Sequence, residues 1–242
     1  MRRYLIILMM PCFVMLFGIC CLAGCEGSRH HLKKVRLNEV AHSIFYAPQY
    51  VAIEKGYFEK EGIKLELTTG FGADKTATAV ISGDADIAFM GPEATIYQFN
   101  QGNADYLINF AQLTQRAGNF VVSREKEDSF KWEDLKGKKV IGGRPGGMPE
   151  MVFEYVLKKH GMNPQKDINL VQNIDFANTS GAFVSGEADY TVEFEPAATL
   201  IEEQGAGYVV ASVGKESGYV PYTAFSAKKS YIENNPEIIQ SF

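Results

Sequence analysis

The chain has 242 residues, 46% of them hydrophobic and 22% charged, which is enough for one large domain or two lobes of about 100 residues each and excludes a disordered polypeptide. With 24 Lys and Arg against 29 Asp and Glu, the net charge is −5. That balance argues against nucleic acid as a partner and against an extended basic membrane-binding face.

At the N-terminus, Arg2 and Arg3 precede the apolar run YLIILMMPCFVMLFGICC and the small-residue segment LAGC. Charged, apolar and cleavage regions in that order read as an export leader. The run is near the lower length limit for a membrane span, so an uncleaved anchor is the alternative. Leu22-Ala23-Gly24-Cys25 resembles the bacterial lipobox at all four positions, which implies removal of residues 1–24 and a lipid on Cys25, with residues 25–32 as a polar tether. All 4 cysteines (Cys12, Cys20, Cys21 and Cys25) fall in this segment, so the body has no disulfide framework, cysteine metal site or thiol nucleophile.

The body opens with a strand from Lys33, where Val35 and Leu37 alternate with polar residues. A loop, AHSIFYA, leads to a helix entered at Pro48 and stopped at Gly62. The next elements are a strand (IKLELTTG), a short helix closed by Gly83, a buried strand (ADIAFM), a helix opened by Pro92 and a strand (DYLINFAQLT). The second half restarts the order with a strand (KKVIGG), a helix (GMPEMVFEYVLKKHG) and a strand (DINLVQN). A helix through SGAFVSG, a strand (ADYTVEF), a helix from Pro196 and a strand (GYVVASV) complete it. Strictly alternating strands and helices predict an α/β protein with mainly parallel sheets.

One phrase occurs twice: ISGDADIAFMGPEA from Ile81 and VSGEADYTVEFEPA from Val184. Each copy spans a helix stop, a buried strand and the next helix start, and the surroundings correspond in order. Two copies are too few for a solenoid, so the repeat predicts two similar lobes. The predicted boundaries are 33–123 for the first lobe, 124–218 for the second and 219–242 for a return to the first. The hinge is expected after NFVVSRE and again at SGYVPYTAFSA.

Ligands of open α/β sheets bind at the carboxyl ends of the strands, where loops and helix N-termini offer free backbone donors. The first-lobe candidates are therefore Ser43, Phe45, Tyr46, Phe71, Gly91, Pro92, Glu93, Gln112 and Thr114. Those of the second are Arg144, Gly146, Gly147, Met148, Asn178, Glu193 and Phe194. Aromatic rings mixed with hydrogen-bonding groups and carboxylates suit a small, flat, polar molecule, although the same rings also suit core packing. GGRPGG, Gly142 to Gly147, reads either as a close backbone approach to an anionic or carbonyl group or as a tight turn. It is neither a dinucleotide fingerprint nor a Walker loop, since Met148 stands where Lys is required. Glu193 and Glu195 flank Phe194 and point to opposite faces of a strand, so one of the two is expected in the cleft.

Catalytic patterns are missing: the 4 His lack H-E-x-x-H spacing, and no G-x-S-x-G occurs. Asp84 with Asp86, and Glu187 with Asp189, read as punctuation at strand starts in preference to paired acids or metal ligands.

The segments APQYVAIEKGYFEKEGIKLEL, AVISGDADIAFMGPEA, WEDLKGKKVIGG, SGEADYTVEFEPAA and VPYTAFSAKKSYIENNPEIIQSF together resemble the extracytoplasmic solute-binding proteins of bacterial ABC importers. The group in question includes thiamine-pyrimidine-precursor, organosulfonate, taurine and nitrate binders. The resemblance implies a type II periplasmic-binding-protein fold, hinge-linked lobes closing on a small ligand, no cofactor or metal, no catalysis, and delivery to a permease and its ATPase. It also implies a monomer outside the cell membrane, held there by the lipid on Cys25. Two ligand classes are expected: an aminopyrimidine-type heterocycle, or a sulfonate or nitrate contacted by Arg144 and Arg116. The family continues for several helices beyond the one that begins here at Pro236, so the sequence is expected to be incomplete or shortened at Phe242. The Cys-rich segment of the related fungal pyrimidine synthases is lacking, which counts against the remaining alternative, an enzyme acting on a pyrimidine compound.

Overall fold

A computed structural model describes residues 32–242, and Lys34–Phe242 form one compact body. The expected leader, the lipobox with Cys25 and the tether up to residue 31 lie outside the described residues.

The strands in chain order are β1 Lys33–Glu39, β2 Ile63–Thr69, β3 Ile87–Met90, β4 Leu107–Thr114, β5 Asn119–Ser123, β6 Lys139–Ile141, β7 Asn169–Val171, β8 Tyr190–Phe194, β9 Tyr208–Ser212 and β10 Thr223–Lys228. The helices are α1 Ala47–Glu54, α2 Tyr57–Lys60, α3 Ala73–Ser82, α4 Glu93–Asn100, α5 Met148–Lys159, α6 Thr179–Val184, α7 Ala197–Glu203, α8 Val213–Ser217, α9 Lys229–Asn234 and α10 Pro236–Ser241. Where one helix was expected from Pro48 to Gly62, Gly56 takes a left-handed conformation (φ 64°) and divides it into α1 and α2.

Two five-stranded sheets form, ordered β2-β1-β3-β10-β4 and β7-β6-β8-β5-β9. Reading one order against the other matches β1 with β6, β3 with β8 and β10 with β5. β1 and β3 pair in parallel, as do β6 and β8. The expected mainly parallel sheets each carry one strand reversed against both its neighbours: β10 runs antiparallel to β3 and β4, and β5 runs antiparallel to β8 and β9. The reason lies in the connectivity, because each of these strands arrives from the other lobe and enters its sheet from the end where the lobes meet.

β5 also moves the lobe boundary. Asn119 to Ser123, expected in the first lobe, sits between β8 and β9 with Val121 and Val122 fully buried. The chain therefore crosses within 115–118, before NFVVS and not after it, and crosses back ahead of β10.

The repeated phrase builds the same turn in both lobes. Gly83 and Gly186 close their helices at φ 90° and 99°. Asp86 then donates its N–H to the Arg36 carbonyl at 2.9 Å while its carboxylate accepts the Arg36 N–H at 2.8 Å. Asp189 and Lys139 repeat both bonds at the same two lengths. Asp86 and Asp189 thus tie neighbouring parallel strands together, the punctuation expected of them at strand starts. Behind the sheets lie separate apolar clusters: Val35, Leu37, Phe89 and Phe225 in the first lobe, and Trp132, Phe153, Leu157 and Tyr190 in the second.

Candidate functional site

A cleft of about 800 Å³ opens between the lobes, bordered by the loops after β1, β2 and β3 on one side and after β6, β7 and β8 on the other. Twelve of the expected residues border it: Ser43, Phe45, Tyr46, Phe71, Gly91, Glu93, Arg144, Gly146, Gly147, Met148, Asn178 and Phe194. Pro92, Gln112, Thr114 and Glu193 are not among its lining residues.

Strand geometry explains the exceptions. In β8 the alternate residues Val192 and Phe194 reach the cleft, so Glu193 points the other way. It is 2% exposed and accepts hydrogen bonds from Thr191 Oγ1 at 2.7 Å and Thr179 Oγ1 at 3.1 Å. Glu195 caps α7 by accepting the Thr199 N–H at 3.1 Å, so neither acid of the pair lines the cleft. Gln112 and Thr114 belong to the outermost strand of their sheet, where the Thr114 hydroxyl bonds that of Thr223. Arg116 stacks over the Tyr219 ring, 4.1 Å from its centroid, and is also absent from the lining.

The walls are aromatic. Phe45, from the first lobe, lies 5.4 Å from Phe194 and 5.7 Å from Tyr222 between ring centroids, and Phe176 packs on Phe194 at 5.5 Å. Ser43 fixes the turn that carries Phe45 by accepting its N–H at 3.3 Å. Phe71 is held at φ 57°, a conformation costly for a bulky side chain, with 68% of its surface exposed at the cleft.

Glu93 dominates the electrostatics. It opens α4, is 4% exposed, and is pushed by burial up to about 7. Its Oε1 accepts the Met148 N–H at 3.1 Å across the cleft, while Oε2 finds no hydrogen-bond partner among the described residues. A Cβ at position 91 would run into the Glu93 carboxylate and displace it from this position. The N-terminus of α5, expected from GGRPGG to favour an anionic or carbonyl group of a ligand, thus already faces an anion of the protein itself. Tyr222 adds a second orphan: 2% exposed, its hydroxyl also lacks a partner among the described residues. Burial, then charge at Tyr46 and Glu93, pushes this phenol well above its ordinary range.

Besides the Glu93 bond, the lobes are joined by Tyr97 OH donating to the Gly146 carbonyl at 3.1 Å and by an Arg144 to Asp74 ion pair at 3.6 Å. Glu150 steadies the same loop by accepting the Gly146 N–H at 3.2 Å. His42, Asp74, Tyr97, Phe176 and Tyr222 border the cleft without having been picked out in the sequence. Tyr97 was findable, since it stands one helical turn after Glu93 on the same face. Tyr222 was not, because its position depends on β10 running against its neighbours. Among the described residues no group of three metal-ligating side chains occurs.

Residues 44–242 match the family described as NMT1/THI5 like. YtlA of Bacillus subtilis (strain 168), named as a binding protein, is 51% identical over 96% of this chain and 69% of its own length. Among solved structures, the periplasmic aliphatic sulphonate binding protein SsuA from Escherichia coli superposes with a TM-score of 0.66 at 20% identity, covering 86% of this chain and 69% of that one. The periplasmic nitrate-binding protein NrtA from Synechocystis PCC 6803 gives 0.67 at 20% identity, covering 87% of this chain and 59% of that one. At such identities the two structures establish a shared fold, and its two lobes are those described above. The relative and the two solved structures are all named as binding proteins, and the chain itself belongs to the NMT1/THI5-like family.

Proposed function

We propose that this protein captures a small, flat, amino-bearing heterocycle of the aminopyrimidine type outside the cell membrane, held there through lipid on Cys25, and hands it as a monomer to an ABC permease and its ATPase. The observation that carries the ligand class is Glu93: a carboxylate buried against aromatic walls with one oxygen unsatisfied calls for a hydrogen-bond donor or cation from outside the protein. Phe45, Phe176 and Phe194 supply rings in the same cleft, and the Tyr222 hydroxyl, without a partner among the described residues, can donate to a ring nitrogen. The anion reading has less to stand on. Arg144 is already paired with Asp74, Arg116 lies outside the lining, and a sulfonate or nitrate would meet the Glu93 charge.

Titration calorimetry with a hydroxymethyl-aminopyrimidine, taurine and nitrate tests this. The aminopyrimidine is expected to bind, and Glu93→Gln to weaken it by about 10- to 100-fold, the range for a hydrogen bond to a charged group. Because Glu93 is ionised only above about 7, affinity for a donor of constant charge should fall as pH drops through that value. Tight binding of taurine or nitrate with no response to the aminopyrimidine would overturn the ligand class.

A further inference from the structure

Glu39 is the last residue of β1 and follows the inward alternation of Val35 and Leu37, so an acid stands where a core residue is expected. It is fully buried, and four side chains converge on its two oxygens. Oε2 accepts from Tyr50 OH at 2.8 Å and Gln49 Nε2 at 3.0 Å. Oε1 accepts from Thr69 Oγ1 at 3.3 Å and meets His42 Nδ1 at 2.9 Å. The His42 ring lies against Tyr50, with centroids 4.5 Å apart, and borders the cleft with 70% of its side chain exposed.

The proton between Glu39 and His42 has one sensible home. Oε2 is saturated by two donors, and an imidazole is intrinsically more basic than a carboxylate. The shared proton therefore sits on Nδ1, and in neutral His42 this leaves Nε2 as an acceptor. We propose that Glu39 is a positioning residue that locks His42 in this tautomer, and that His42 Nε2 is a second acceptor lining the cleft, recognising an N–H or O–H on the ligand. The second part rests on the ligand class proposed above and sharpens it. With Glu93 Oε2 as one acceptor and His42 as another, the preferred solute is an amino heterocycle carrying an additional donor arm, such as a hydroxyl or amine. A sulfonate, whose oxygens only accept, is disfavoured by both.

Two measurements test this separately. Nitrogen NMR of the His42 ring in the ligand-free protein, in mildly alkaline solution, should show Nδ1 protonated and Nε2 bare, the reverse of the tautomer usual for free imidazole side chains. Glu39→Gln should abolish that preference. Should this variant not fold, the wild-type spectrum alone decides, and Nε2 protonated there overturns the assignment of Glu39. The second measurement compares a hydroxymethyl-aminopyrimidine with its methyl analogue. Wild type should favour the hydroxyl form by about five- to tenfold, and His42→Phe, a change on an exposed side chain, should erase the preference. An undiminished preference in His42→Phe overturns His42 as a ligand contact. Failure of both probes to bind wild type overturns the aminopyrimidine class and with it the proposed contact, while the tautomer result still decides the Glu39–His42 pair.

Discussion

Glu93 and Glu193 are both buried, both stand at or beside the end of a central strand, and both are pushed by burial up to about 7, yet they do opposite work. Glu193 has both oxygens satisfied by threonine hydroxyls and belongs to the architecture. Glu93 borders the cleft with one buried oxygen that has no hydrogen-bond partner among the described residues. An acid raised above its ordinary 4.5 is favoured protonated in the fold, so the stability it contributes is complete below that pH and lost as pH rises through about 7. Replacing Glu193 by Gln removes the charge and keeps both contacts, the amide oxygen accepting from Thr191 and the amide N–H donating to the Thr179 hydroxyl, whose own proton goes to the Phe176 carbonyl at 3.1 Å. The variant is expected to be more stable than wild type by about 1–3 kcal/mol at about pH 8, with little difference at about pH 4, as urea unfolding would show. Sequence alone placed Glu193 in the cleft because strand parity could not be assigned from a run apolar on both faces.

The turn shared by the two lobes gives an element-scale expectation. Asp86 accepts the Arg36 backbone N–H and holds the Arg36 guanidinium through bonds of 3.1 and 2.6 Å, whereas Asp189 accepts only the Lys139 N–H. Asp86→Ala should therefore cost about 2 kcal/mol and Asp189→Ala about 1 kcal/mol in urea unfolding. Equal costs would mean that the backbone bond alone matters. At this scale most of the structure was legible: the strands of both halves other than β5 and β10, whose segments read as hinge crossings, the helix stops at Gly83 and Gly186, and the loops that form the cleft. The division of α1 from α2 was not, because Gly56 inside an apolar periodic stretch is compatible with a continuous helix.

For the whole molecule, side chains from one lobe reach the backbone and loops of the other: Tyr97 on Gly146, Glu93 on Met148 and Asp74 on Arg144. These contacts form only when the lobes are together, so they should slow ligand escape more than they speed capture. Combining Tyr97→Phe with Asp74→Asn is expected to raise the dissociation rate of the aminopyrimidine about five- to tenfold with little change in its association rate, measurable by stopped-flow fluorescence. An unchanged dissociation rate would show that these contacts do not govern release. What the amino-acid sequence determined by itself was the α/β alternation, the duplication and most of the cleft loops, because hydrophobic period and turn chemistry are local. Only the tertiary structure decided that β5 and β10 insert antiparallel, that Glu193 turns inward while Glu93 stays unsatisfied, and that His42 is held by Glu39. Each of those depends on which distant segment lies beside a residue, and no window of sequence contains that neighbour.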